Sequence, residues 1–316
     1  MSDGGMIVLP RTHPILEKAV KHQLQLAQDV QGQDPNLDSK EKKKLVNVAM
    51  TFYDFENSFY KITLTPKTST TMLISLSLPC YKEIEGEGVQ EILKEKFGSL
   101  LQDPEQGFDV TLGVDIMNPG KPIDNMTELI ASLKETIITA PLISHFTAFA
   151  NGESKEKFSF NLRPDTKVYI IPTKDRVTVG MRLSLTDPVD LQVAEIFLKD
   201  YKEVQRRKAG AAPPAFFSVN PPEELSGEEK GSLGFITFAV QKRHMEDKLV
   251  TAAALINFRS FLHYHLKCSK AFFHSRMRKK VKEFLKILNR AKTNYEGETK
   301  KKVKKTASGR SFRHKA

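Results

Sequence analysis

No glycine and no proline occurs between Phe235 and Glu296, so the two residues that most readily interrupt a helix are missing from that whole window. Within it Leu255, Phe258, Leu262, Leu266, Phe273, Met277, Val281, Phe284 and Leu288 recur at threes and fours, with one gap at Ser269. That spacing keeps one face of an α-helix apolar throughout and predicts a single helix from about Asp247 to Ala291. At about 1.5 Å per residue such a helix is roughly 65–70 Å long, more than the width of the domains that could precede it. Part of its stripe must then lie against something outside its own domain.

The charge is concentrated in the same region. From Lys242 to Ala316 there are 22 Lys or Arg against 5 Asp or Glu, a net of +17, whereas residues 1–241 carry 27 against 33, a net of −6. A positive surface confined to one end implies an acidic partner: nucleic acid, an anionic lipid surface or an acidic protein. Within the helix Arg276, Arg278, Lys279 and Lys280, followed by Lys282, Lys286 and Arg290, are interleaved only with Glu283. Pairing at i,i+4 therefore leaves most of this charge unneutralised. A second basic group, Arg206-Arg207-Lys208, ends an earlier helix, where cations are favoured in any case. Arg206, Arg207, Arg276, Arg278, Lys279 and Lys280 are the candidate contacts for an acidic partner.

Upstream the pattern is mixed and it repeats. Met6–Leu9 is a short apolar stretch suited to an edge strand, and His13–Asp29 reads as an amphipathic helix. Phe52–Phe55 and Phe59–Leu64 predict a hairpin, Thr71–Leu78 a further strand, Gly88–Leu101 a short helix and Gly107–Val114 a half-buried strand. Asp124–Phe149 predicts a longer helix that Pro141 kinks or breaks. Lys167–Ile171 and Arg176–Leu185 are then strands, Pro188–Val204 a helix and Gly234–Val240 a strand leading to the long helix. The repeated β-β-α-β-α order predicts an α+β protein of two topologically similar α/β domains followed by a long C-terminal helix. The boundaries expected are 1–150 and 151–245 for the domains, 246–292 for the helix and 293–316 for a basic flexible tail.

Signatures of catalysis are absent: there is no GxxxxGK[ST], GxSxG or HExxH. His263 and His265 stand about 200° apart on a helix and cannot chelate one metal, so packing or capping roles are expected for them. Two cysteines without CxxC spacing, Cys80 and Cys268, fit a reducing compartment, and Cys268 is expected to be a small core residue. No apolar run approaches the roughly 20 residues that span a bilayer. A cytoplasmic, non-enzymatic protein without cofactor or metal is the expectation.

The residues Asp175–Val179, Gly234–Phe238, Arg243-His244, Phe261–Ala271, His274–Arg278 and Phe284–Ala291 together resemble the signature of one family, subunit 2 of the actin-related protein 2/3 complex, its 34-kDa-class scaffold subunit. The resemblance is dense from about Lys167 to the end, including Ser308–Phe312, and collinear upstream from Met6–Leu9 through Gly107-Phe108. It departs from the family where Lys242 replaces a common proline and where Met1–Gly5 extends the start. The resemblance implies a non-catalytic scaffold whose long helix packs antiparallel on the corresponding helix of subunit 4. It also implies contact with the side of a mother actin filament, from which a branch is nucleated, and a place in the actin cytoskeleton at the cell cortex and projections. On that reading Leu255, Phe258, Leu262, Leu266, Phe273, Met277, Phe284 and Leu288 form the subunit interface, and the six basic residues above face the filament. The alternative is a nucleic-acid-binding protein that uses the basic helix, but the body lacks the aromatic–basic platform or helix-turn-helix expected beside it.

Overall fold

A computed structural model describes residues 12–33, 47–54, 56–64, 70–207 and 212–291 of the chain, without the side chains of 31–33, 200–207 and 290–291. The strand expected at Met6–Leu9, most of the polar stretch Gln31–Lys44 and the tail from Thr293 lie outside the described residues.

Two antiparallel five-stranded sheets organise the body. The first holds β1 (Val48–Tyr53), β2 (Phe59–Leu64), β3 (Thr71–Ser77), β4 (Leu101–Gln102) and β5 (Val110–Asp115), in the spatial order β1-β2-β3-β5-β4. The second holds β6 (Phe158–Arg163), β7 (Thr166–Pro172), β8 (Val177–Leu183), β9 (Ala215–Ser218) and β10 (Gly234–Val240), in the order β6-β7-β8-β10-β9. Counted from its own first strand, each half has the same order, as the repeat in the sequence predicts. The halves are richer than β-β-α-β-α, because β4, β6 and β9 are added. β4 is two residues long, and β9 is four residues set between the pairs Pro213-Pro214 and Pro221-Pro222.

The strands form because their alternation matches the pleat. Across the first sheet Tyr60, Leu76 and Val110 stand in register, as do Ile62, Ile74 and Leu112, and all six are buried. Across the second, Val168, Met181 and Ile236 do the same, then Ile170, Val179 and Phe238. These inward rows belong to one continuous core. β5 is buried on both faces over Val110–Val114, not half-buried as its alternation predicts. The reason lies on its outward side, where Thr111 bonds Ser75 at 3.0 Å and accepts the Glu105 N–H at 3.0 Å. Lys61 also reaches Glu105, at 2.9 Å. The second sheet closes its outward face with Leu225, packed on Tyr169, Ile171 and Phe235, and with Glu228, which accepts the Tyr169 hydroxyl at 2.9 Å and Lys167 at 3.3 Å.

Helices supply the second layer. α1 (Pro14–Gln33) precedes the first sheet; α2 (Tyr81–Ile84) and α3 (Gln90–Phe97) link β3 to β4; α4 (Ile123–Ala131) and α5 (Leu133–Asn151) follow β5. α6 (Pro188–Arg207) lies between β8 and β9, and α7 (Lys248–Ala291) follows β10. The helix expected over Asp124–Phe149 is interrupted at Ser132 and not at Pro141, which sits inside α5. Ser132 takes φ −83°, ψ 0° and its hydroxyl donates to Leu129 O at 2.7 Å, ending α4. Pro141 is tolerated because Ile137, Ile138, Thr139, Ala140 and Leu142 around it are all buried, and packing of that order offsets the roughly 3 kcal/mol an interior proline costs.

β10 opens at Gly234 with φ 119°, where an added Cβ would lie 2.5 Å from Ser218 O. Gly234→Ala is therefore expected to cost about 2–3 kcal/mol from backbone strain and overpacking, seen as a lower urea midpoint with unchanged slope.

The chain divides into two compact units, Met1–Leu266 and Lys267–Ala316, so α7 contributes its first turns to the body and the remainder to a separate unit.

Candidate interaction surface on the long helix

α7 begins where Asp247 accepts the Val250 N–H at 2.9 Å on its side chain and the Thr251 N–H at 3.1 Å on its carbonyl, an N-cap of the usual chemistry. The preceding turn, Lys242–His244, leads into it.

The first turns are seated by apolar and polar contacts together. Ala252, Leu255, Ile256, Phe258, Leu262 and Leu266 are buried, with Phe258 edge-on to Phe238 at 5.2 Å. Arg259 donates to Asp165 in the β6–β7 turn at 2.5 Å and to Thr166 at the start of β7 at 3.2 Å. The next residue, Ser260, donates to Glu56 in the β1–β2 turn. Corresponding turns of the two halves thus hold consecutive residues of one helix. Behind Ser260, Lys134 of α5 bonds both Asp54 and Glu56. Burial alone would push the Glu56 carboxyl up, but the Lys134 charge and the hydrogen bonds from Lys134 and Ser260 outweigh it and hold the group below its ordinary value. These pairs are 78 to 204 residues apart in sequence, and no local pattern announces them.

Along the expected interface the side chains divide. Leu255, Phe258, Leu262 and Leu266 are only 2–6% exposed, because the chain's own sheets and helices already cover them; they are not open to a partner. The opposite holds further on. Every residue from 271 to 289 is exposed, and Phe273, Met277, Val281, Phe284 and Leu288 are 45–64% exposed. At about 100° per residue these five fall within a band about 80° wide. Phe272, Leu285 and Ile287, also exposed, widen the apolar surface beyond the positions that the period singles out. For soluble chains an apolar stripe of this kind marks a place of association.

The basic candidates divide. Arg278 and Lys279 stand away from the apolar band, Arg276 stands at its border over the Phe272 ring at 5.3 Å, and Lys280 lies beside the stripe. All four are exposed. α6 ends at Arg207, but the side chains of Arg206 and Arg207 lie outside the described residues.

The cysteines also separate. Cys80 is buried and burial raises its thiol to about 11, whereas Cys268 is exposed and is not the core residue its sequence setting predicts. His265 packs against Phe261 at 4.2 Å and Phe197 at 5.6 Å, the packing role expected of it. Among the described residues no three His, Cys, Asp or Glu side chains are grouped to hold a metal, and no helix is long and apolar enough to cross a membrane.

The described residues thus comprise two sheets of one topology followed by a long helix whose exposed part carries an apolar band and a set of basic residues. The chain belongs to the family described as Arp2/3 complex, 34 kD subunit p34-Arc, which it matches over residues 74–295. It is 32% identical over 288 residues to actin-related protein 2/3 complex subunit 2 of Schizosaccharomyces pombe, covering 82% of this chain and 89% of that protein. To the subunit of the same name from Dictyostelium discoideum it is 29% identical over 269 residues, covering 83% of this chain and 90% of that one.

Proposed function

We propose that the protein is the non-catalytic scaffold subunit of an actin-related protein 2/3 complex and that it pairs with subunit 4 through the exposed stripe of α7. The observation that carries this reading is the unbroken exposure of residues 271–289 with five large apolar side chains on one band. Burying those five at about 1.5–3 kcal/mol each gives a gross gain of roughly 8–15 kcal/mol before entropy costs, enough for a lasting complex. The working division of the chain is 1–150 and 151–245 for the two α/β domains, 246–292 for the helix and 293–316 for the basic tail. Such a subunit acts in the cytoplasm, at the actin cytoskeleton of the cortex and cell projections. Purification of the full chain from cells tests the reading: two actin-like proteins and a subunit 4 homologue in equal amounts support it, and nucleic acid as the stoichiometric partner overturns it.

The basic side of the same helix is assigned to the mother filament. Arg276, Arg278, Lys279 and Lys280, with Arg206 and Arg207, supply positive charge for acidic actin while the apolar band is occupied. Exposed charges of this kind act mainly through long-range attraction. Reversing Arg276, Arg278 and Lys279 to Glu is expected to weaken co-sedimentation of the intact complex with filaments by about tenfold at low salt. The deficit should shrink as salt is raised, and branching should fall in proportion. An unchanged branch density with the variant complex removes these residues from the filament contact.

A further inference from the structure

Residues 152–157 connect α5 to β6 and so join the two halves of the body. The first two close the helix. Gly152 turns left-handed at φ 80°, and its N–H and that of Glu153 donate to Phe149 O at 3.1 Å and Ala148 O at 2.8 Å, a common way for a helix to end at glycine. Further on, two consecutive residues of α5 hold two consecutive residues of the connector. Ser144 accepts Lys155 at 2.8 Å, and His145 Nε2 lies 3.3 Å from Glu156 O. Lys155 also pairs at 3.2 Å with Glu87, in the segment between α2 and α3.

His145 is 2% exposed, and both of its ring nitrogens face carbonyl oxygens, Nδ1 that of Pro141 at 2.8 Å and Nε2 that of Glu156. A neutral imidazole has one N–H to give. The shorter contact places it on Nδ1, because two lone pairs repel at that distance, and Nε2 then turns a lone pair towards Glu156 O. Only the imidazolium donates to both. Among the described residues the charged groups acting on the ring are Lys155 and Glu87, and Phe158 of β6 stacks on it at 6.1 Å. Burial opposes the cation most strongly and Lys155 adds to that, whereas the two carbonyls and Glu87 favour it; the net effect holds the ring below its ordinary value. Lifting the connector off α5 admits water to Nε2 and solvates the charged form. A proton therefore binds the lifted connector more tightly than the seated one, and by linkage acid favours lifting. We propose that His145 is a pH-sensitive latch on the joint between the halves, closed while the ring is neutral and released when it takes up a proton.

Hydrogen exchange on the full chain at about pH 7 and about pH 5.5, corrected for the intrinsic effect of pH on exchange, reads the latch at the Gly152 and Glu153 amides. With the ordinary value of 6.5 regained in the lifted state, their protection is expected to fall about threefold to eightfold across that interval. The central strands β3 and β8 should keep theirs, since the joint opens without unfolding either sheet. The ring resonances of His145 should titrate below 6.5 in the same chain. His145→Gln keeps a donor for Pro141 O and cannot titrate, and His145→Phe keeps a ring beside Phe158. Either variant is expected to abolish the pH response at Gly152 and Glu153, whatever it does to overall stability. A ring that titrates at or above its ordinary value, protection that stays level or rises in acid, or a response that persists in both variants overturns the proposal. An equal fall in β3 and β8 assigns the effect to global unfolding and overturns it as well.

Discussion

Replacing Phe273 and Phe284 together by aspartate will leave the subunit folded and strip it from its complex. Both rings are more than half exposed and lie beyond the seat that ends at Leu266, so the body loses no core contact. On the proposed pairing the same change removes two large apolar anchors, each worth about 1.5–3 kcal/mol of burial, and places a charge in a dry seam. A combined loss of about 4–6 kcal/mol corresponds to a 10³–10⁴-fold weaker association at roughly 1.4 kcal/mol per tenfold. The measurement is co-purification with a subunit 4 homologue, with circular dichroism and melting of the unassembled subunit as the control for folding. Leu262→Asp is the informative contrast. Its side chain is 3% exposed inside the body, so it should destabilise the subunit itself, and any loss of assembly follows from unfolding. Recovery of an intact complex with the Phe273 and Phe284 double variant would sink the stripe as the interface.

That contrast also marks what periodicity conveys. From Leu255 to Leu288 the apolar spacing is continuous, and it correctly predicts one helix and its apolar face. It is blind to who covers that face: Leu266 and Phe273 are equivalent in the pattern, yet the first is in the chain's own core and the second is exposed. The duplicated topology was legible because runs of β-branched and aromatic residues bounded by turn residues recur in the same order in both halves, with strict alternation in β2. β6 escaped because Phe158–Arg163 follows the polar run Glu153–Lys157, and β9 because its four residues sit between proline pairs. Pro141 misled for a related reason: local preference predicts a break, and tertiary burial on several sides of α5 overrides it. Least legible was the polar seat of α7, since Ser260 with Glu56 and Arg259 with Asp165 join residues 204 and 94 apart. Of the candidate contacts, Arg276, Arg278, Lys279 and Lys280 stand out by their scarcity of acidic neighbours, a local property, and their exposure accords with it.

Lys134→Met is expected to be among the most damaging single changes within the body, and the pH at which it is measured should decide its size. The side chain is 16% exposed between Asp54 at 7% and Glu56 at 25%. Methionine keeps much of the volume and removes the ammonium, leaving two carboxylates close together with Ser260 and nearby Arg259 as the remaining support for Glu56. Removing one partner of a buried pair costs about 3–5 kcal/mol; partial exposure of Glu56 argues for the lower end, about 3 kcal/mol. For a chain of this size that is roughly 6–12 °C in melting temperature at neutral pH. The pH dependence follows from Glu56. In the native chain its carboxyl is held below the ordinary range against the opposing effect of burial, chiefly by Lys134. Its contribution is therefore fully present above the unfolded value of about 4.3 and is lost as pH falls towards the lower folded value. Without Lys134, burial becomes the dominant influence and raises the carboxyl, so protonation relieves the variant. Its melting temperature should rise as pH drops from 7 towards 5, opposite in sign to the native contribution, and Glu56→Gln in the same chain should restore part of the loss at pH 7. Because Glu56 is also the acceptor for Ser260, the variant should loosen the first turns of α7 and so impair assembly at neutral pH more than in mild acid, an order that a lost interface residue would not produce.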